Sequence, residues 1–300
     1  MRRRAYGRDT ELSIRMFAVM FLLAAVYLFF LTVLWAAGVG VIFIAVIAGV
    51  MLLVQYYFSD KMVLMAMRAK VVEPHQAPEL HAMVERLCVM ADLPKPRVAI
   101  ADLPIPNAFA TGRNPKHAVV CATTGLLDRL TPEEVEAVMG HELTHVKNRD
   151  VMVITIASFF AMIASFIVQS FFWMGLYGGY GRRDRDSGSG LMLVYLVSLL
   201  VYVVSYLLIR TLSRYRELAA DRGGAILTGA PANLASALVK ISGTMARIPQ
   251  KDLRQSEALS AFFIIPALKG GSLAGLFATH PSLEVRLERL QRLQREMEGL

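Results

Sequence analysis

The sequence predicts a mainly α membrane protein. Four apolar helices cross the bilayer as two hairpins, and two water-facing parts, which contain a small β-sheet, lie on one side. Three observations carry this. Residues 16–58 contain no charged side chain. Two further apolar runs, 151–174 and 191–209, follow a segment of ordinary charge density. The hydrophobic fraction of 55% is high for a wholly soluble protein of 300 residues.

At 1.5 Å rise per residue, the run from 16 to 58 is about twice what one crossing of a ~30 Å hydrocarbon core requires. It must fold back, and the Ala36-Ala37-Gly38-Val39-Gly40 cluster is where it can turn, giving spans over 16–36 and 40–58. A cleavable signal peptide is the rival reading, since Arg2, Arg3 and Arg4 make a basic start and small residues follow the first run. The run is too long for that, and another follows at once.

Residues 59–150 mix strand-like, loop-like and helix-like stretches and read as a folded, water-facing segment. The runs 151–174 and 191–209 each fit one span and flank the Gly-rich, charged loop GLYGGYGRRDRDSGSG. Both contain serine, so buried helices of a large soluble core are the alternative. After Arg210 the pattern gives helices over 218–227, 232–246 and from Leu283 to the end, with the looser stretch SAFFIIPALKGGSLAGLFATHP between the last two. The expected organisation is a membrane hairpin at 1–58, a water-facing part at 59–150, a second hairpin at 151–210 and a second water-facing part at 211–300.

Four spans put both termini and both water-facing parts on one side. Arg2, Arg3, Arg4, Arg8 and Arg15 precede the first span, Lys61, Arg68 and Lys70 follow the second, and Arg210, Arg214 and Arg216 follow the fourth. By the positive-inside rule that side is cytoplasmic, although Arg182, Arg183 and Arg185 lie in the opposite loop.

The formal charge of +8 raises nucleic acid as a partner. The Lys and Arg residues mostly flank apolar runs and form no basic stripe interleaved with aromatics, so a bilayer with anionic headgroups is the better match and no nucleic acid is expected. Cys88 and Cys121 sit in no C-x-x-C pair, which leaves no disulfide framework or thiolate zinc site, only small buried core residues.

The chemistry lies in TPEEVEAVMGHELTH. Thr131 is an N-cap, Pro132 takes the first helical position, and Glu133 and Glu134 fill the first turn, so a helix starts here. His141 and His145 are four apart on it, one turn along one face, a spacing that lets two imidazole nitrogens reach one tetrahedral cation. Glu142 stands on the adjoining surface, where it can take a proton from a metal-activated water without being a ligand. Two surface histidines on an amphipathic helix are the bland alternative.

A hydrolytic zinc site needs a third protein ligand and an open position. The remaining histidines are His75, His81, His117 and His280, whereas RYRELAAD offers a carboxylate on a helix, and Glu217 is the choice. His145 lies about six residues, or ~9 Å, before the third span, and Glu217 about seven residues, or ~10 Å, beyond the fourth. Adjacent antiparallel spans would bring both to one height. Asp221, on the same face as Glu217, can accept a ring N–H from a ligating histidine. An ordinary solvated pair among Arg214, Arg216 and Arg222 is the alternative.

VMGHELTHVKNRD, SRYRELAADRGG, FATHPSLEVRLERL and PNAFATG resemble the HtpX-type heat-shock membrane proteases and, more distantly, the CAAX-prenyl proteases. The likeness covers nearly the whole chain, including the order of its apolar runs. It implies a gluzincin-type metalloprotease domain at the cytoplasmic face, one Zn2+ per subunit held by His141, His145 and Glu217, and Asp221 following in the E-x-x-x-D helix. It also places Asn107 and His280 toward the substrate or the developing oxyanion and makes Arg286 a partner of the site carboxylates. The alternatives are that Asn107 satisfies backbone groups in a turn, that His280 caps the last helix and that Arg286 pairs on the surface. Ala219, Arg222, Gly223 and Gly224 depart from the family's bulkier or acidic residues.

In the mechanism these residues suggest, Glu142 serves as general base and returns the proton to the leaving amine, while a peptide lies extended along Asn107, Ala108, Phe109, Ala110 and Thr111 as an added strand. The resemblance implies cleavage of misfolded or damaged membrane proteins at the inner membrane under stress, with polypeptide and lipid as partners. With no G-x-x-x-x-G-K-[ST] in the chain, cleavage is expected to be independent of ATP. A transporter or scaffold is the competing class, but the four apolar runs carry no Asp, Glu, Lys, Arg or His that would line a pathway. A prenyl-protein processing enzyme would be expected to have more spans.

Overall fold

A computed structural model describes residues 9–37, 41–177, 185–247, 264 and 280–299. In chain order the first elements are α1 (Thr10–Ala36), α2 (Val41–Ala66), β1 (Ala69–Val71), α3 (Pro78–Ala91), β2 (Arg97–Ala101) and β3 (Ala108–Thr111). A 3-10 turn at Pro115–His117 leads to β4 (Val119–Thr123), α4 (Thr124–Leu127), α5 (Pro132–Asn148) and α6 (Asp150–Tyr177). The chain continues through α7 (Arg185–Thr228) and α8 (Pro231–Met245) to α9 (Leu283–Glu298). These elements form two compact units: Thr10–Tyr56 with Val153–Leu212, and Met1–Asp9, Tyr57–Met152 and Ser213–Leu300.

The first unit is helical and apolar inside and out. α1 buries Leu12, Val19, Leu23, Tyr27, Phe30 and Leu34 along one stripe and leaves Phe17, Phe21 and Trp35 between 65% and 78% exposed. A helix with large apolar side chains on its outer face as well as its buried one belongs in lipid. The buried Tyr27 hydroxyl donates to the Ala157 carbonyl of α6, so its polar tip is not left unpaired. Among the described residues, α1 and the Met192–Thr228 part of α7 are long and apolar enough to cross a membrane. Asp150–Phe159 and Ala161–Ser170 of α6, bent by 41°, add a third if they are one span, and Gly49–Phe58 of α2 is a shorter apolar stretch. The chain is a membrane protein.

One expectation shifts here. α7 does not break near Arg210: span and ligand-bearing segment are one helix of 44 residues. No Gly or Pro interrupts residues 191–222, and Arg210 and Arg214 at i,i+4 are compatible with a continuous helix. The expected turn at 38–40 and most of the loop before α7, residues 178–184, lie outside the described residues.

The second unit is built on a mixed four-stranded sheet in the order β1-β2-β4-β3. β2 and β4 run parallel, with Arg97 opposite Val119, and β1 and β3 flank them antiparallel. All five β4 residues are buried, as expected of a strand covered on both faces. Val84 and Leu87 from α3, Val98 and Val120 from the sheet, Val138 and Leu143 from α5, and Leu234 and Leu238 from α8 share one core. Cys88 and Cys121 belong to it as free thiols, which burial pushes up to about 11 and about 12. α8 and α9 lie where helices were expected, whereas most of the stretch from 260 to 281 falls outside the described residues.

Candidate active site

α5 is fixed at its start by a capping box. Thr131 Oγ1 accepts from the Glu134 N–H, and Glu134 Oε2 accepts from the Thr131 N–H at 2.9 Å. Glu134 also accepts from Ser236 at 2.7 Å and Lys240 at 2.8 Å, which ties α5 to α8. From Ala137 to Thr144 every residue of α5 is buried, so the polar groups it carries inward need partners.

α7 supplies them by an unusually close approach. A Cβ on Gly224 would stand 2.6 Å from the His141 nitrogen and 2.8 Å from its Cα, and one on Gly223 would stand 2.4 Å from the Thr144 methyl. The Gly223-Gly224 pair is what lets the two helices meet here.

At the crossing, His141 and His145 point their Nε2 atoms at each other, 3.1 Å apart, with rings nearly perpendicular at 86°. Glu217 Oε1 lies 3.4 Å from His145 Nε2, and its Oε2 lies 3.7 Å from His141 Nε2. Ligands 2.0–2.1 Å from a tetrahedral zinc stand roughly 3.3 Å from one another. The 3.1 Å between the imidazole nitrogens and the 3.4 Å from His145 to Glu217 Oε1 bracket that value, and two imidazoles with one carboxylate form a donor set suited to zinc. His141, His145 and Glu217 can therefore hold a metal ion.

The other ring nitrogens face carboxylates. His141 Nδ1 is 3.0 Å from Asp221 Oδ1, and Arg286 forks Asp221 through Nε at 2.8 Å and an Nη at 2.7 Å. Arg286 is only 1% exposed and also donates to the Ile264 carbonyl. Burial would raise the Asp221 carboxyl, but Arg286, with help from His141, holds it below the usual range. Burial likewise works against a charged Glu217, yet His280 and His145 keep it well below the ordinary carboxylate value.

His145 Nδ1 lies 2.6 Å from Asp150 Oδ2, a residue that the sequence did not single out. The only advance signal was an acidic side chain at the head of an apolar run. Arg149 adopts a left-handed conformation (φ 55°) that ends α5 and starts α6 one residue later, which swings Asp150 back toward the ring. Arg216, the neighbour of Glu217, pairs with Asp150 and reaches the Asn148 carbonyl at 3.4 Å. Burial pulls its guanidinium down to about 10, with Glu217 pulling the other way.

Glu142 is 4% exposed in the same helix. His280 is brought to Glu217, its Nδ1 3.0 Å from Oε2, and the cap of α9 is Ser282 instead. Asn107 is buried, and its side-chain oxygen accepts from the Ile264 N–H at 3.0 Å. Asn107 leads into β3, the edge strand, where Ala108, Phe109 and Thr111 are buried and Ala110 is half-buried.

An H-E-x-x-H helix facing a carboxylate, in a chain with membrane-crossing helices, defines a membrane metalloprotease. The sequence model of Peptidase family M48 matches residues 74–294. The chain is 68% identical over 297 residues to the Protease HtpX homolog of Moorella thermoacetica, covering 99% of each protein. It is 57% identical over 295 residues to Protease HtpX homolog 2 of Methanosarcina acetivorans, covering 98% of this chain and 99% of that one. The chain belongs to peptidase family M48 and is a metalloendopeptidase. Its fold is similar to the crystal structure of S. mikatae Ste24p, with a TM-score of 0.56 at 19% identity over 94% of this chain and 67% of that one.

Proposed function

We propose that this chain is an ATP-independent zinc endopeptidase that cleaves misfolded or damaged membrane proteins at the cytoplasmic face of the inner membrane, as part of a stress response. Four spans anchor it, with residues 59–150 and 211–300 together forming the protease. The observation that carries the reading is the convergence of His141, His145 and Glu217 beside Glu142 on a buried helix. One Zn2+ bound by the three would act as a Lewis acid on the scissile carbonyl and make a bound water acidic near neutral pH.

Glu142 is the general base: it takes the proton of the attacking water and hands it to the leaving amine. Asp221, braced by Arg286, holds the His141 ring so that Nε2 faces inward. His280 and the Asn107 amide serve the carbonyl oxygen as it gains charge, the amide oriented by the bond that its oxygen accepts from Ile264. The substrate main chain adds to the β3 edge over Asn107, Ala108, Phe109, Ala110 and Thr111. The side chains there are mostly turned into the core, so recognition is of backbone and tolerant of sequence.

The test is casein cleavage by detergent-purified protein, with and without a chelator. Glu142→Gln is expected to keep its zinc and lose cleavage, whereas His141→Ala loses both. Cleavage by Glu142→Gln at the wild-type rate would show the general-base assignment to be wrong.

A further inference from the structure

The two histidines of the helix are supported in the same way from different parts of the chain. His141 is backed by Asp221 and Arg286. His145 is backed by Asp150, which is 8% exposed, and Asp150 by Arg216, which is 5% exposed. The second set is local in a way that the first is not. Asp150 follows His145 by five residues, directly after the left-handed Arg149 that ends α5. Arg216 is covalently next to Glu217, so the residue that grips the carboxylate behind one histidine and the carboxylate that faces both histidines are consecutive in α7.

We propose that Asp150 and Arg216 are positioning residues for the metal centre: Asp150 accepts the Nδ1–H of His145 and leaves Nε2 as the donor atom, and Arg216 locks Asp150 to α7 in register with Glu217. This rests on the reading of His141, His145 and Glu217 as zinc ligands. Its physical basis is the tautomer: an imidazole carries one ring proton when neutral, and a carboxylate at Nδ1 keeps that proton there, with Nε2 unprotonated toward the cation. Arg216 adds two constraints. Its ion pair stops Asp150 from rotating away, and its contact with the Asn148 carbonyl pins the end of α5, where His145 sits, to the helix that carries Glu217.

The pair also accounts for two buried charges beside the two histidines and Glu217. A carboxylate and a guanidinium this far from water are costly unless paired, and replacement by apolar residues would serve stability as well or better. The geometry instead gives Asp150 a second partner on its other oxygen, the His145 ring.

The experiment is a chelator competition on the full-length protein in detergent, run alongside steady-state cleavage at saturating zinc. The proteins are wild type, Asp150→Asn, Asp150→Glu, Arg216→Gln and Arg216→Lys. Asp150→Asn is expected to hold zinc about 10- to 100-fold more weakly, with kcat lowered and KM little changed. Arg216→Gln should shift zinc affinity in the same direction by a smaller factor. Arg216→Lys and Asp150→Glu, which keep the charges, should recover much of it. If Asp150→Asn does not fold, the contrast between Arg216→Gln and Arg216→Lys carries the test through the same contact. Wild-type zinc affinity in folded Asp150→Asn, or in folded Arg216→Gln, overturns the proposal while leaving the ligand set intact. A wild-type protein that binds no zinc overturns the ligand set, and this inference with it.

Discussion

Gly224 of α7 and His141 of α5 are in backbone contact: a Cβ added to the glycine would stand 2.6 Å from the histidine nitrogen. The nearest atoms are main chain and cannot turn aside, so the catalytic helix and the ligand-bearing helix are held at a separation that only glycine permits.

Gly224→Ala is therefore expected to destabilise the protein by about 1–3 kcal/mol through overpacking. It should also weaken zinc retention, because the helices that carry His141 and Glu217 must part. Gly243→Ala in α8, where an added Cβ meets nothing within 4 Å, is the control and should be neutral or stabilising by roughly 0.4–1 kcal/mol. Melting in detergent with zinc quantitation reads both. Equal melting of Gly224→Ala and wild type would contradict the contact.

Among the described residues Arg286 is the largest fully buried side chain, and its fork holds Asp221. Removing one member of a buried pair strands the other, so Arg286→Met should cost about 3–5 kcal/mol. The double variant Arg286→Met with Asp221→Asn is expected to cost less than the two single losses added, as measured by a double-mutant cycle in denaturant. Simple additivity would mean that the two side chains do not act on each other.

Glu134 gives a pH signature remote from the metal. Burial alone would raise its carboxyl, but Lys240, Ser236 and the Thr131 N–H outweigh that and hold it below the usual range. A carboxyl lowered on folding contributes stability that is fully present above its unfolded value of about 4.3 and is lost as pH falls through the folded value. Wild type should lose stability below about pH 5 more steeply than Glu134→Gln, while at neutral pH Thr131→Ala should cost about 1 kcal/mol through the lost cap. Parallel acid limbs for wild type and Glu134→Gln would remove the carboxylate's role.

How much of this could be read from the sequence depends on whether the interaction is local. Thr131, Pro132 and Glu134 announce the start of α5 because a capping box involves only residues three apart. His141 and His145 share a face because helix periodicity dictates it, and Glu217 with Asp221 stood out as a carboxylate pair of the same kind. The alternative of His280 as a helix cap was settled by Ser282, which takes that position. What was hidden needed tertiary information. The order β1-β2-β4-β3 depends on a parallel pairing across an intervening strand, and the return of Asp150 depends on a left-handed arginine, a conformation that residue type does not announce. The continuity of α7 is not legible in the sequence, because a shift from apolar to charged composition marks the end of an apolar run and not the end of a helix.

The most direct measurement is metal content per chain in detergent-purified wild type, Glu142→Gln and Glu217→Ala, each shown to be folded. About one zinc per chain in the first two and essentially none in the third is the expected result. A wild-type protein without zinc, or a Glu217→Ala protein that retains it at full stoichiometry, would contradict a site made by two histidines of α5 and a glutamate of α7.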